Sequence, residues 1–154
     1  MRSSLAIMAV VGAVTALTPA FADNIDDAIK ARQGFYQVVS HNAGALFAMA
    51  KGDVEYNAET ATTHAKNLEI LANMDTSSMW LPGSSKEDRK GKTRALPVIW
   101  TTFPAIGEKS QAFKDASAKL AMAAGEGIDG LRANIGALGA SCKGCHETYR
   151  AKDF

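Results

Sequence analysis

The sequence predicts an all-α fold, an antiparallel four-helix bundle. Three observations carry that prediction. Apolar residues recur at three- and four-residue steps in four separate segments. Strand signals are nearly absent, with no Asn-Gly or Asp-Gly turn between alternating runs. Most connections between the four segments are short, as antiparallel neighbours require. The chain has 154 residues, 47% of them hydrophobic and 21% charged, one domain's worth with enough apolar side chains for a core.

A leader precedes the bundle. Arg2 supplies a positive start, Leu5 to Leu17 is an apolar run of about a dozen residues, and Ala20-Phe21-Ala22 is a small-x-small cleavage signal. The run is short for a transmembrane helix, which needs about 20 apolar residues. Residues 1–22 are therefore expected to be a cleaved signal peptide and 23–154 the bundle domain; an uncleaved anchor is the competing reading. The mature protein is expected to be exported and free of the membrane, in the periplasm if the host is bacterial.

The first helix is predicted over about 26–50. Asn24 can cap it, and Asp26 and Asp27 would sit in its first turn, where the helix dipole favours negative charge. Ile25, Ile29, Arg32, Tyr36, Val39, Ala43 and Leu46 form one stripe, and Lys51-Gly52 ends the helix. The second covers 58–73, with Asn57 as cap and Ala61, Ala65, Leu68 and Ala72 facing inward. The third begins near Pro97 and carries Ile99, Phe103, Ile106, Phe113, Leu120 and Ala124. Pro104 and Gly107 fall inside it, which predicts a kink or a late true start. The fourth covers about 128–150, with Leu131, Ile135, Leu138, Cys142, Cys145 and Tyr149 on one stripe. One connection is long, and the Ser-, Gly- and Lys-rich stretch 75–95 reads as functional or mobile.

Charge excludes some partners. The formal net charge is +1, and losing Arg2 with the leader leaves the mature chain neutral. No basic field points to nucleic acid. Two cysteines are too few for a disulfide scaffold.

The informative motif is Cys142-Lys143-Gly144-Cys145-His146, the C-x-x-C-H attachment signature of c-type haem. Two thiols at this spacing can form thioethers with the two porphyrin vinyl groups, and the adjacent histidine then lies under the iron. Cys142 and His146 are four apart and share a helix face. Export agrees, because c-type haem is attached after translocation in bacteria. A structural disulfide, a redox dithiol and a zinc site compete. The redox motif belongs beside a βαβ pattern, which is missing, and zinc needs two more ligands.

The chain resembles cytochrome c′, the class II c-type cytochromes. The likeness lies in residues 139–150, Gly-Ala-Ser-Cys-Lys-Gly-Cys-His-Glu-Thr-Tyr-Arg, and in Ala28-Ile29-Lys30-Ala31-Arg32-Gln33. It continues in Lys51-Gly52, Tyr56 and Pro97-Val98-Ile99-Trp100. The resemblance covers the whole mature chain, with the haem motif in the last helix, as in that family. Pro104 and the 75–95 stretch depart from the pattern.

The resemblance implies one covalent haem c per chain, held by Cys142 and Cys145, with His146 as axial iron ligand. Arg150, one turn on, would lie beside the imidazole and modulate its basicity; a solvated C-terminal arginine is the competing reading. Arg32 would pair with a haem propionate, since a buried arginine needs an anion; the alternative is a stem reaching solvent. Met79, Trp80, Phe103 and Tyr149 are candidate haem contacts, with core packing as the alternative. In the family's low-spin branch a methionine at the position of Tyr36 gives the sixth ligand. Tyr36 therefore implies a five-coordinate, high-spin iron, with Phe35 and Val39 completing an apolar distal wall. His41 lies about 140° round the helix from Tyr36 and should face away, and His64 reads as a surface residue. Should the iron prove six-coordinate, Met49, Met79 and His41 would be the candidate ligands.

Two functions compete on these grounds. An open iron under an apolar cap would bind small gases such as NO and CO; alternatively the protein carries electrons between periplasmic redox partners. No enzyme constellation is visible. The family forms homodimers through its first two helices, and Phe47, Met49, Ala50, Ile70 and Leu71 exceed one inward stripe, so an exposed apolar patch is expected there.

Overall fold

A computed structural model describes the backbone of residues 19–154 and the side chains from residue 24 onward. Nearly all of the expected leader therefore lies outside the described residues. Among the described residues there are five α-helices: α1 (Pro19–Lys51), α2 (Ala58–Asn73), α3 (Val98–Thr101), α4 (Phe103–Ala123) and α5 (Ile128–Tyr149). α1 packs on α2 and α5, and α4 packs on the same two, so the four long helices close a ring around one core. That core holds Val39, Ala43, Leu46 and Met49 of α1, Ala61, Ala65 and Leu68 of α2, Leu120 of α4, and Leu131, Ile135 and Leu138 of α5. Among the described residues there is no strand, only one isolated bridge between Ala95 and Arg150. No helix among them is long and apolar enough to cross a membrane.

Most element boundaries follow local chemistry. The Asn57 side chain accepts from the Thr60 amide at 2.9 Å, which caps α2 where expected. Gly52 adopts φ +85°, and its amide and that of Asp53 return to Ala48 O, closing α1. The third helix is broken rather than continuous. Thr102 leaves helical geometry and Pro104 occupies the first turn of α4, where its missing N–H costs nothing. The α4–α5 turn needs glycine, since Gly127 has φ +117° and a Cβ on Gly130 would lie 2.6 Å from Ala123 O. Tyr56 staples that turn to α2; its hydroxyl donates to Ala124 O at 2.8 Å and accepts from Gly127 N at 3.1 Å.

Three expectations need correction. α1 begins at Pro19, so Asn24 does not cap it and Asp26 and Asp27 are not in its first turn. The helical run already includes residues upstream of all three, so they sit in its body rather than at its start. The 75–95 stretch is anchored rather than loose. Ser84, Ser85 and Thr93 are buried, and Lys86 N donates to Ala95 O at 2.7 Å. The apolar excess on α1 and α2 is mostly turned inward. Met49 is in the core, Phe47, Ala50 and Leu71 pack against it, and Ile70 alone of the five is exposed, at 69%. Four of the five residues thus pack more deeply than one stripe would require.

Candidate functional site

The motif lies in the last two turns of α5. Cys142 and Cys145 are free thiols, half-buried, and His146 is half-buried beside them. Burial pushes both thiols above their ordinary range, while Arg150 pulls the other way. A reactive dithiol needs the opposite, a depressed pKa, so the geometry speaks against a redox motif. Among the described residues no group of three or more His, Cys, Asp or Glu side chains converges, so no zinc tetrad forms. Desolvation first, then Arg150 and Arg94, holds the His146 imidazole below its usual pKa, which favours the neutral ring with one basic nitrogen. Among the described residues none hydrogen-bonds its ring.

The wall facing the thiols comes from α1 and the long connection. Tyr36 lies within electrostatic range of both cysteines and of Arg32. Phe35 meets Tyr36 edge to face at 5.1 Å, Trp80 meets Tyr36 at 6.4 Å, and Trp100 meets Trp80 at 6.3 Å. The Trp100 indole N–H donates to Trp80 O at 3.0 Å. Tyr36 is 45% exposed, but its phenol is pushed up to about 12, mainly by desolvation and then by Cys145. Tyrosinate is therefore out of reach at neutral pH.

Arg32 is 4% exposed and makes four hydrogen bonds, all to neutral acceptors. Its terminal nitrogens donate to Met79 O at 3.2 Å, Ser84 Oγ at 3.2 Å, Ser84 O at 3.1 Å and Thr93 Oγ1 at 3.0 Å. The guanidinium also lies 4.5 Å from the Trp80 ring centre. Desolvation lowers its pKa, offset in part by Tyr36. A buried cation satisfied in hydrogen bonds but not in charge is what an arriving carboxylate would complete. With two thiols, an imidazole and an aromatic wall at the same place, the residues fit a haem carrying propionates.

Not every candidate joins this cluster. Tyr149 does; it is buried with Ala95 and Ile99, and Cys145, Trp80 and Trp100 pack against them. Met79 contributes its backbone carbonyl to Arg32. Arg150 is exposed but within reach of both thiols. Val39 instead sits in the main core. Phe103 is 67% exposed, because the break at Thr102 turns the first residue of α4 outward. Trp100, Arg94 and Lys109 were not singled out from sequence. Trp100 follows the buried Ile99 and could have been found from that step. Arg94 and Lys109 approach His146 and Cys145 only through tertiary packing. An open groove of about 380 Å³ between α4 and α5 reaches Gly144 and Lys109.

Comparison with known proteins agrees with this geometry. The cytochrome c′ family profile matches residues 27–150. Cytochrome c′ of Cereibacter sphaeroides is 39% identical over 133 residues, covering 86% of this chain and 89% of the relative. A solved cytochrome c′ from Rhodobacter spheriodes superposes with a TM-score of 0.81 at 39% identity, covering 83% of this chain and 98% of that one. A carbon-monoxide-bound variant of cytochrome c prime from Alcaligenes xylosoxidans gives 0.72 at 32%, covering 83% and 97%.

Proposed function

The chain belongs to the cytochrome c′ family, and on that premise we propose that it is a periplasmic haem protein with a five-coordinate, high-spin iron that binds small neutral gases, nitric oxide and carbon monoxide. Proteins of this family carry covalently bound haem c. On this reading Cys142 and Cys145 hold the haem through thioethers, and His146 is the axial ligand. When bound, the haem supplies an iron coordination position that a neutral diatomic can occupy. The rest is done by the protein. Arg32 anchors a propionate from its buried place, and Arg150 and Arg94 disfavour added positive charge on His146. The signal peptide at 1–22 delivers the domain 23–154 across the membrane before attachment.

The observation that carries the reading is Tyr36. Its ring, backed by Phe35 and Trp80, faces the thiols from α1. A phenol held at about 12 is neither an anionic ligand nor a base at neutral pH. Two of the alternative ligands are engaged elsewhere: Met49 is in the main core and the His41 ring meets His64 edge-on. Related structures include carbon monoxide and nitric oxide complexes. Electron transfer is the second reading, favoured by the positive charges of Arg94, Lys109 and Arg150 acting on His146 and Cys145.

Optical spectra of the purified holoprotein test the proposal. The ferrous protein should show a broad Soret band without a sharp low-spin α band, and should respond to CO and NO. Tyr36→Met should convert the spectrum towards six-coordinate low-spin and raise the potential. A wild-type spectrum already low-spin at neutral pH overturns the gas-binding reading and favours the electron carrier.

A further inference from the structure

The chain has three histidines, and His146 is claimed by the motif. The other two meet on a different face. His41 of α1 and His64 of α2 have ring centres 5.6 Å apart at 70°. His41 is exposed and His64 half-buried. By the helical step His41 points about 140° away from Tyr36, so this pair is separate from the haem cleft.

The protein fixes one ring of this pair. Asn42 is 3% exposed in the α1–α2 seam, and a buried amide needs its hydrogen bonds. Its Nδ2 donates to Val38 O at 2.8 Å. Its Oδ1 accepts from Asn67 Nδ2 at 3.0 Å, so that atom is the carbonyl oxygen. His64 Nδ1 lies 2.9 Å from the same oxygen and must therefore carry the proton. The tautomer follows. Nε2 of His64 then carries the lone pair, and the Nδ1–H bond to an amide oxygen fixes the ring. Metal-ligating histidines are oriented in this way, their other nitrogen donating to a carbonyl or carboxylate.

The spacing agrees. Two imidazoles on one tetrahedral ion, with metal–nitrogen distances of about 2.1 Å, place their ring centres about 5 Å apart. The exposed His41 can rotate to close the difference. Among the described residues no third His, Cys, Asp or Glu joins, so water would complete the coordination.

We propose that His41 and His64 form a two-imidazole site for a divalent transition-metal ion on the α1–α2 face, separate from the haem. Imidazole ligands suit copper, nickel and zinc, and copper is bound most tightly of these.

The test uses the mature ferric holoprotein titrated with Cu²⁺ alone. Electron paramagnetic resonance should show one copper per chain with nitrogen superhyperfine coupling from two imidazoles, and the Soret band should not move. His41→Gln and His64→Gln should each weaken binding by about tenfold or more, and the double variant should lose the saturable site while keeping its helical circular dichroism. Copper with oxygen ligands only, unchanged uptake by the double variant, or no saturable uptake at micromolar copper would each overturn the proposal. The wild-type nitrogen coupling stands without any variant, so misfolding of one variant does not shelter the idea.

Discussion

Replacing Arg32 with methionine keeps the apolar stem and deletes the guanidinium. Four hydrogen bonds disappear, but their acceptors fare differently. Ser84 Oγ still donates to Leu81 O, and Thr93 Oγ1 still accepts from Ala95 N. Met79 O and Ser84 O lose the Arg32 donor. Leaving a buried acceptor unsatisfied costs about 1–3 kcal/mol each, and removing a buried cation refunds part of that. The expected net loss is about 3 kcal/mol. With an m-value of about 2 kcal/mol/M for a domain this size, the urea midpoint should fall by about 1.5 M at unchanged slope. Far-ultraviolet circular dichroism of the holoprotein reads it directly. Arg32→Lys should fall between, because a point ammonium cannot span the same acceptors as the planar fork. A loss below about 0.5 kcal/mol, the level of an ordinary surface change, would show that Arg32 reaches solvent and would refute the anchoring argument.

Three further predictions follow from other parts of the chain. Cys142→Ala with Cys145→Ala should release all haem to acid-acetone extraction; haem that stays with the protein would contradict the attachment sites. The Lys92 hydrogen bond and charge, with help from Arg89, hold the Asp26 carboxyl below its usual range. A depressed carboxylate stabilises above its unfolded pKa of about 3.9 and loses that contribution as pH falls through the folded value. Asp26→Asn should thus be less stable than wild type at pH 7 and match it in strong acid, and an equally steep acid limb would count against the pairing. The homodimer expected from sequence is tested by sedimentation, since a related cytochrome c′ undergoes ligand-controlled dimer dissociation; only monomer at tens of micromolar, a range set by transient interfaces, would remove it.

What the sequence revealed was local. Asn57 announces the start of α2 because a cap acts within three residues. Pro104 announces the break before α4 for the same reason. The motif is legible because its spacing is the chemistry. Side-chain partners across the fold were not legible. Arg32 bonds to residues 47 to 61 positions away, and no helical periodicity encodes them. Phe103 and Val39 show the same limit from the other side. A register that fits an inward stripe does not say which of two clusters a residue joins, or whether a one-residue break rotates it out.

The 75–95 stretch ties α1 to the end of α5. Arg32 grips it from α1 at Ser84 and Thr93, and the Thr93 hydroxyl in turn accepts from Ala95 N. On either side of Ala95 the chain grips the end of α5. Leu96 N donates to Tyr149 O at 3.0 Å, and Ala151 N donates to Arg94 O at 2.9 Å. A continuous chain of bonds therefore runs from α1 to the turn that follows His146. Tyr36 lies one turn beyond Arg32 at one end, and Cys145 and His146 lie one turn before Tyr149 at the other. We infer that this strap, and not the bundle core alone, holds the Tyr36 ring relative to the thiols. Loosening it at Arg32 should therefore change more than stability. If the strap holds Tyr36 in place, Arg32→Met should also alter the CO association rate of the folded ferrous protein, measured well below its unfolding midpoint. An unchanged rate would mean that α1 and α5 hold the cleft without it.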